Sequence, residues 1–276
     1  MDSCVSNSAK KNTNAADLTV SLLQANPKAV NVAERLQHLE NAVARAAKSD
    51  ADVLVCPELF LSGYGSANRA RELAEAGDGP FAKEVATIAR QAEIAIAYGY
   101  PEFVDGTIYN SARVIEPDGN LLQNYRKCQL PIGFERECFE SANQLGIFTF
   151  KGVKCSCIIC YDVEFPEIVR NLAKNGVELI LAPTALNTKW SIVAEKMIPT
   201  RALENGIYLA YSNYAGTADQ HTFAGLSCLV GPNGQEIVRG GQEPGVFTGT
   251  IETSIEIENK RQIQYMNDLR NGVTLA

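Results

Sequence analysis

The chain of 276 residues carries 25 Lys and Arg against 32 Asp and Glu, a formal net charge of −7 at pH 7, and this acidic balance excludes the basic surface that nucleic-acid binding requires. Its hydrophobic fraction of 46% is large enough for a continuous core and excludes a chain that is disordered throughout. No stretch approaches the ~20 apolar residues of a membrane-spanning helix, so neither nucleic acid nor membrane is expected as a partner.

The first 17 residues are polar and lack the apolar segment of a secretory signal. We interpret residues 1–17 as a loosely ordered extension and residues 18–276 as a single domain. The chain has eight cysteines, and without a signal segment they predict the reduced thiols of a cytoplasmic protein.

Helix and strand patterns alternate along the domain. Strands are predicted over residues 18–24, 52–56, 94–98, 109–116, 120–126, 147–150, 153–159, 178–182, 207–213, 226–230, 236–238 and 245–251. Helices are predicted over 32–48, 81–91, 166–174 and 191–205, the last interrupted at Pro199. Helices between strands, with interspersed hairpins, predict a layered α/β fold with mixed sheets. The polar tail 252–276 shows no pattern that assigns it an element.

Three of the predicted strands end in a residue that can take part in chemistry. DVLVCPE ends at Glu58, LLQNYRK ends at Lys127, and CSCIIC ends at Cys160. Sites in open α/β sheets gather at the carboxyl ends of strands, so one pocket could hold all three side chains. A thiol between a strand and a helix also lies near free backbone N–H groups, which lower its pKa and can bind an oxyanion. Taken singly, Cys160 could equally be a buried packing cysteine. A solvated loop glutamate and a surface lysine are the commoner interpretations of Glu58 and Lys127.

The cysteines and histidines suggest two other kinds of site. Cys155 and Cys157 share one face of their predicted strand and Cys160 the other, so three thiolates do not converge on one ion and no metal site is expected. His38 is predicted on a helix surface, whereas His221, in a loop, leaves a Cys–His hydrolase open. The chain has no Gly-rich phosphate or dinucleotide motif, so no cofactor is expected.

Three segments resemble the signature regions of the nitrilase superfamily of carbon–nitrogen hydrolases, in the same order and spacing. They are PELFLSGY (57–64), NYRKCQL (124–130) and ICYDVEFPE (159–167). The similarity extends over nearly the whole chain, from about residue 18 to residue 270.

Within the superfamily the chain is most similar to bacterial 5-aminopentanamidases and related stereoselective amidases. The segments that carry this similarity are AYGYPE (97–102), IYNS (108–111), ELILAPTA (178–185), RALEN (201–205) and YSNYAG (211–216). Tyr161 and Asp162 follow the nucleophile position, as in amidases, where nitrilases usually carry Trp and Glu.

The resemblance implies a four-layer αββα sandwich that forms a homodimer or a higher homo-oligomer, with the tail 252–276 at a subunit contact. It implies Cys160 as the nucleophile, Glu58 as the general base and Lys127 as the cation that stabilises the tetrahedral intermediate. Glu135, eight residues after the lysine, would orient the substrate or the hydrolytic water. The residues then expected to bind substrate are Tyr64, Tyr161, Glu164, Thr184, Ala185, Asn187 and Trp190.

The implied reaction is the hydrolysis of a small linear carboxamide to a carboxylic acid and ammonia, through a thioester on Cys160. Several segments that line the implied pocket depart from the family pattern and bear on the substrate: Cys128-Gln129, Glu140-Ser141-Ala142 and ALNTKW (185–190). An ω-amino amide such as 5-aminopentanamide is one candidate, and its amine could meet one of four acidic residues: Glu102, Glu135, Asp162 or Glu164. An N-carbamoyl amine or amino-acid hydrolase, a nitrilase and a catalytically silent interaction protein are the alternatives.

Overall fold

A computed structural model describes residues 17–28, 31–252 and 265–268. Nearly all of the predicted extension 1–17 and most of the tail 252–276 lie outside the described residues. The division into an extension and one domain, and the subunit contact of the tail, therefore stay predictions.

The described residues form fourteen strands, numbered here in chain order. They are β1 (Leu18–Gln24), β2 (Val53–Val55), β3 (Ala95–Val104), β4 (Thr107–Ile115), β5 (Leu121–Arg126), β6 (Phe148–Phe150), β7 (Val153–Cys157), β8 (Leu179–Pro183), β9 (Tyr208–Ser212), β10 (Ala215–Ala218), β11 (His221–Ala224), β12 (Cys228–Val230), β13 (Glu236–Arg239) and β14 (Gly245–Ile251).

The α-helices of the described residues are α1 (Val32–Ala47), α2 (Ala67–Glu72), α3 (Pro80–Ala92), α4 (Phe134–Cys138), α5 (Pro166–Lys174), α6 (Ile198–Asn205) and α7 (Tyr265–Asp268). Two 3-10 helices, Cys160–Glu164 and Thr188–Trp190, and one π-helical turn, Val193–Met197, complete the helical structure. None of these described helices combines the length and apolar character needed to cross a bilayer.

The strands build two six-stranded mixed sheets of similar design. The first has the order β14-β1-β2-β3-β4-β5 and the second the order β13-β12-β9-β8-β7-β6. Parallel strands form the centre of each sheet, β1 to β3 in one and β7 to β9 in the other, and antiparallel strands complete both edges. A small hairpin of β10 and β11 stands apart from both sheets.

The central strands are buried on both faces, which explains their continuous apolar sequences. In β2, Val53 and Val55 belong to the core shared with the second sheet, whereas Leu54 and the adjoining Cys56 belong to the core under α1 and α3. On the other side, residues of α5 and α6 such as Val169 and Ala202 join the core of the second sheet. The order of layers is helix, sheet, sheet, helix, and the predicted αββα fold is confirmed.

Strands β1 and β14 and helix α5 begin and end as predicted, but β7 is shorter and β3 longer than expected. Strand β7 ends at Cys157 because the Ile159 backbone N–H donates to the Asp162 carboxylate (3.2 Å) instead of continuing the sheet. Strand β3 continues to Val104 and pairs with β4 along its whole length, although Gly and Pro within it weaken the strand signal.

Candidate active site

The three reactive residues follow strands whose carboxyl ends lie at one side of the sandwich. Strands β2 and β5 run in the same direction in the first sheet, with Glu58 and Lys127 just beyond them. The Glu58 backbone N–H donates to the carbonyl of Thr184 (3.2 Å), directly after β8 of the second sheet. This hydrogen bond ties the ends of the two sheets together where Cys160 follows β7.

Lys127 is fully buried between two carboxylates. Its ammonium donates to Glu58 Oε1 at 2.6 Å and to Glu135 Oε1 and Oε2 at 2.8 and 2.7 Å. Glu58 and Lys127 are 0% exposed and Glu135 is 1% exposed. Charges removed from water in this way are tolerated only when they are paired and hydrogen-bonded, so the three side chains form one unit.

Two neutral side chains complete this unit. Asn110, in the interior of β4, donates through Nδ2 to Glu58 Oε1 at 2.7 Å and to Glu135 Oε2 at 3.1 Å. The Tyr64 hydroxyl donates to Glu135 Oε1 at 2.7 Å. Within the described residues, Glu58 Oε2 is buried and has no hydrogen-bond partner. Its lone pairs are not used by a donor, so this oxygen can accept a proton.

Burial and the neighbouring charge of Glu135 raise the pKa of Glu58 to about 7, against the lowering effect of Lys127. Burial also opposes the charged form of Lys127, but the carboxylates of Glu135 and Glu58 raise the pKa of the ammonium above its usual value. The lysine is therefore held as a cation, and Glu58 can exchange a proton near neutral pH, as general acid–base catalysis requires.

Cys160 opens the 3-10 helix in a left-handed backbone conformation, with a φ of 43°. A residue with a side chain adopts this conformation only when its surroundings enforce it. The surrounding clamp is Asp162, a fully buried carboxylate that accepts the Ile159 N–H, the Tyr125 hydroxyl (2.9 Å) and the Gln129 N–H (2.8 Å). These bonds fix the turn of the thiol against the segment that follows Lys127.

The Cys160 thiol lies in the same electrostatic environment as the buried carboxylates and ammonium. Burial and the charge of Glu58 raise its pKa well above the usual value, whereas Lys127 and a hydrogen bond from the Ala185 backbone N–H lower it. The resting thiol is therefore protonated, and forming the thiolate requires a base to take its proton.

Two predicted substrate-binding residues belong to the same 3-10 helix. The Tyr161 ring packs edge-on against Phe165, with centroids 5.0 Å apart, and its backbone N–H is in the first turn, where such groups lack partners within the helix. Glu164 is partly buried, and burial raises the pKa of its carboxyl, with opposing effects from Lys127 and Arg201.

Three more of the predicted substrate-binding residues differ in how close they lie to the buried unit. Tyr64 joins it through Glu135, and Ala185 presents its backbone N–H to Cys160. Thr184 is buried and its hydroxyl donates to the carbonyl of Ala182 (3.0 Å). The roles of these residues in binding stay predictions.

Asn187 and Trp190 lie on the loop between β8 and α6. The Asn187 side chain accepts the Lys189 backbone N–H at 3.2 Å and so caps the short 3-10 helix. The Trp190 side chain is 56% exposed, with the Lys189 ammonium over its ring. The structure does not bring these two side chains into the buried unit, and their predicted role in binding stays untested.

The four acidic candidates for contact with a substrate amine are now distinguishable. Glu102 is held by Arg126 through two hydrogen bonds of 2.8 and 2.9 Å, Asp162 holds the Cys160 turn, and Glu135 is bound to Lys127. Of these four, Glu164 is the one whose carboxylate makes no direct hydrogen bond or ion pair with a side chain of the described residues. It lies close enough to Lys127 for the charge of the ammonium to act on its pKa.

Sequence reasoning did not assign Asn110 and the clamping role of Asp162 to the site. Asn110 is a fully buried amide in the interior of a strand, an arrangement that requires partners, and this is the signal that could have identified it.

His221, the candidate for a Cys–His pair, packs its ring against Tyr64 and Phe223 on β11. In the part of the chain that the structure describes, no three His, Cys, Asp or Glu side chains are grouped to hold a metal ion.

The chain is similar to known proteins in both sequence and fold. Residues 19–258 match the family model described as carbon-nitrogen hydrolase. The protein named "hydrolase in pqqF 5'region" of Pseudomonas protegens is 41% identical over 92% of this chain and 89% of its own length. An (R)-stereoselective amidase of a Pseudomonas species is 30% identical over 92% of each chain. The crystal structure of an amidase from a Nesterenkonia species superposes with a TM-score of 0.80 at 30% identity, over 95% of this chain and 97% of that one.

Proposed function

The chain belongs to the carbon–nitrogen hydrolase family, and we propose that within this family it is an amidase that converts a small linear carboxamide to a carboxylic acid and ammonia. The observation that carries the proposal is the buried unit of Glu58, Lys127 and Glu135 beside the Cys160 thiol. This combination supplies a nucleophile, a base of suitable pKa and a fixed cation, which are the groups that acyl transfer needs.

In the first half of the reaction, Cys160 Sγ bonds to the amide carbon while Glu58 Oε2 takes the thiol proton. The carbonyl oxygen becomes an oxyanion, which the Lys127 ammonium and the Tyr161 backbone N–H stabilise; removing one such donor typically costs a factor of ~10²–10³ in rate. The carbon–nitrogen bond then breaks as Glu58 passes the proton to the leaving nitrogen. Ammonia leaves, and the acyl group remains on Cys160 as a thioester.

In the second half, a water molecule replaces ammonia. Glu58 takes a proton from the water while the water oxygen bonds to the thioester carbon and forms a second oxyanion. The carbon–sulfur bond breaks when this oxyanion returns to a carbonyl. The proton returns to the sulfur, and the carboxylic acid leaves. Glu135, bound to the same Lys127, would keep the ammonium directed at the position of both oxyanions.

For the substrate we propose a short chain whose far end carries an amine, as in 5-aminopentanamide. Glu164 supports this, because its carboxylate is partly buried and not engaged by a neighbouring side chain, unlike those of Glu102 and Asp162. It lies at the end of the same 3-10 helix that presents Cys160. An ammonium there would pair with a carboxylate that burial has partly deprived of water.

The test is a screen for ammonia release from purified protein. It should cover ω-amino amides of several lengths, plain aliphatic amides, amino-acid amides of both hands, nitriles and N-carbamoyl compounds. Release of ammonia from an amide by the wild type and its absence in Cys160→Ala are expected. Turnover of nitriles alone, or release of carbon dioxide from carbamoyl compounds, would replace the proposal with a nitrilase or a carbamoyl hydrolase. No turnover of any class would favour the catalytically silent protein.

Covalent labelling gives an independent test of the nucleophile. In mutants of the Nesterenkonia amidase, the acetamide moiety of fluoroacetamide is found added covalently at the active-site cysteine. We expect fluoroacetamide to modify the peptide that contains Cys160 in this chain. Modification of Cys128 or Cys157 instead, with Cys160 unmodified, would contradict the assignment of the nucleophile.

A further inference from the structure

The hydrogen bonds around Lys127 are distributed unevenly among the carboxylate oxygens. Glu135 Oε1 accepts from Lys127 and Tyr64, Glu135 Oε2 from Lys127 and Asn110, and Glu58 Oε1 from Lys127 and Asn110. Three of the four oxygens thus accept two hydrogen bonds each, while Glu58 Oε2 accepts none among the described residues.

Asn110 contributes to this pattern through both its side chain and its backbone. Its two Nδ2 hydrogens serve one oxygen of each carboxylate, and its backbone carbonyl accepts the Lys127 N–H at 2.8 Å. The opposite amide orientation would place Oδ1 against two carboxylate oxygens, all of them acceptors. The two carboxylates therefore fix the amide, and the amide fixes the two carboxylates, at a residue with 0% exposure.

We propose that Asn110 is a positioning residue of this hydrolase, whose side-chain amide occupies Glu58 Oε1 and so leaves Oε2 as the single oxygen that receives the proton of Cys160. The proposal rests on the proposed function, because it assumes that Glu58 acts as the base. Asn110 does not contact the reacting atoms itself. It acts by turning and holding the carboxylate, and by donating hydrogen bonds that favour the ionised form of Glu58.

The consequence is a link between residue 110 and the pH at which Cys160 becomes reactive. Replacement by an apolar residue removes a donor from Glu58, and replacement by aspartate adds a third carboxylate to the unit. Both changes disfavour ionised Glu58, so the base is protonated up to a higher pH. The rate of thiolate formation at a given pH then falls. The acid limb, which is the pH range in which the reactivity of Cys160 decreases on acidification, moves to higher pH.

The experiment compares two variants with the wild type: Asn110→Asp, which keeps the volume of the side chain, and Asn110→Leu, which keeps its branched shape but is larger. The rate of Cys160 modification by iodoacetamide is followed from pH 5 to 9 by mass spectrometry, together with kcat and KM on the best amide. We expect the acid limb to shift to higher pH by about one unit or more in both variants. At pH 7, kcat should fall at least about tenfold while KM changes little.

Asn205→Asp is the matched control. Asn205 is also a buried asparagine with an unpartnered Oδ1 in the described structure, but its amide donates to the Arg201 carbonyl within α6. The acid limb of Cys160 modification in Asn205→Asp should lie at the same pH as in the wild type. If an Asn110 variant does not fold, Asn110→Ser, which is smaller and keeps one donor, should give a smaller shift in the same direction.

The outcomes separate the two proposals. Folded Asn110 variants with the acid limb and kcat of the wild type would overturn the role of Asn110 and leave the amidase proposal standing. A wild-type protein whose Cys160 is not modified, or which hydrolyses no amide, would overturn the proposed function itself. A loss of stability with an unchanged limb would identify Asn110 as a structural residue only.

Discussion

At the scale of single residues, the proposed chemistry depends on an exchange of protons between Glu58 and Cys160. The thiol is protonated at rest because burial opposes its charge, and the carboxylate has a pKa of about 7 for the same reason. The two groups are therefore poised to transfer a proton when a substrate arrives, whereas Lys127 keeps its charge throughout.

Replacing Glu58 by glutamine should reduce kcat/KM by at least ~10², because the amide cannot accept or return a proton. Steady-state kinetics measure the effect. Glu75→Gln provides the control, since Glu75 is a partly buried carboxylate that accepts backbone N–H groups of Phe81 and Ala82 at the start of α3. A small effect of Glu58→Gln would show that another group is the base.

The pH dependence of kcat/KM follows from the raised pKa of Glu58. Only the ionised carboxylate can accept the thiol proton, so activity should fall as the pH drops through about 7 and level off above it. A pH–rate profile measures this limb. A profile that stays flat down to the usual pKa of a glutamate would contradict the assignment.

The sequence predicted which reactive residues lie together, but it did not predict the side chains that hold them in position. Glu58, Lys127 and Cys160 could be placed together because each follows a strand and strand ends converge, and Glu135 because of its spacing from the lysine. Asn110 and Asp162 bind partners 52 and 37 residues away, and such pairings depend on the order of strands, which the strand pattern alone does not define.

At the scale of elements, the site is carried by short irregular segments rather than by the strands themselves. The 3-10 helix that presents Cys160 is anchored by Asp162, and the chain after Glu58 passes closely over β3, where a Cβ on Gly99 would lie 2.3 Å from the Leu59 nitrogen. Short elements give weak sequence signals, which is why α2, α4, β10 and β11 were not predicted.

Asp162→Asn tests the anchor of the 3-10 helix. The carboxylate accepts three hydrogen bonds, and an amide nitrogen in place of one oxygen would face donors. We expect a loss of about 1–3 kcal/mol in the free energy of unfolding and a fall of at least about tenfold in kcat, because the geometry of Cys160 is released. Denaturant unfolding and kinetics measure the two effects, and an unaltered kcat would mean that the turn keeps its geometry without the clamp.

Gly99→Ala tests the close approach between β3 and the chain around Glu58. The added methyl group meets backbone atoms, which cannot swing away, so we expect a destabilisation of about 1–3 kcal/mol together with reduced activity. Gly241→Ala is the control, because a Cβ there meets nothing within 4 Å. Equal stability of the two variants in denaturant unfolding would contradict the argument.

At the scale of the whole molecule, the alternation of helices and strands predicted a layered α/β fold with mixed sheets, and the resemblance to the family implied the αββα order of the layers. Strands of apolar residues between helices require cover on both faces, and the structure supplies it. The hydrogen bonds between the two sheets were not predictable, because they involve single polar groups. Ser212 at the end of β9 places Oγ 2.9 Å from the Leu23 carbonyl and 2.8 Å from the Val55 carbonyl of the other sheet.

Ser212→Ala removes this hydrogen bond between the sheets. One hydroxyl donates to one carbonyl at a time, so the cost should be that of one buried hydrogen bond, about 1–3 kcal/mol in the free energy of unfolding. Denaturant unfolding measures it, and kcat should change much less than in Asp162→Asn. A large loss of activity without a loss of stability would show that the hydroxyl serves the chemistry instead.

The two carboxylates around the single ammonium of Lys127 also bear on how the reaction finishes. With Glu58 and Glu135 both ionised, the buried unit carries one excess negative charge, and the product of amide hydrolysis is itself an anion at neutral pH. Like charges in a site with little water repel strongly. A site that accepts an uncharged amide end should therefore release the acid made from it, and product inhibition by the carboxylate should be weak.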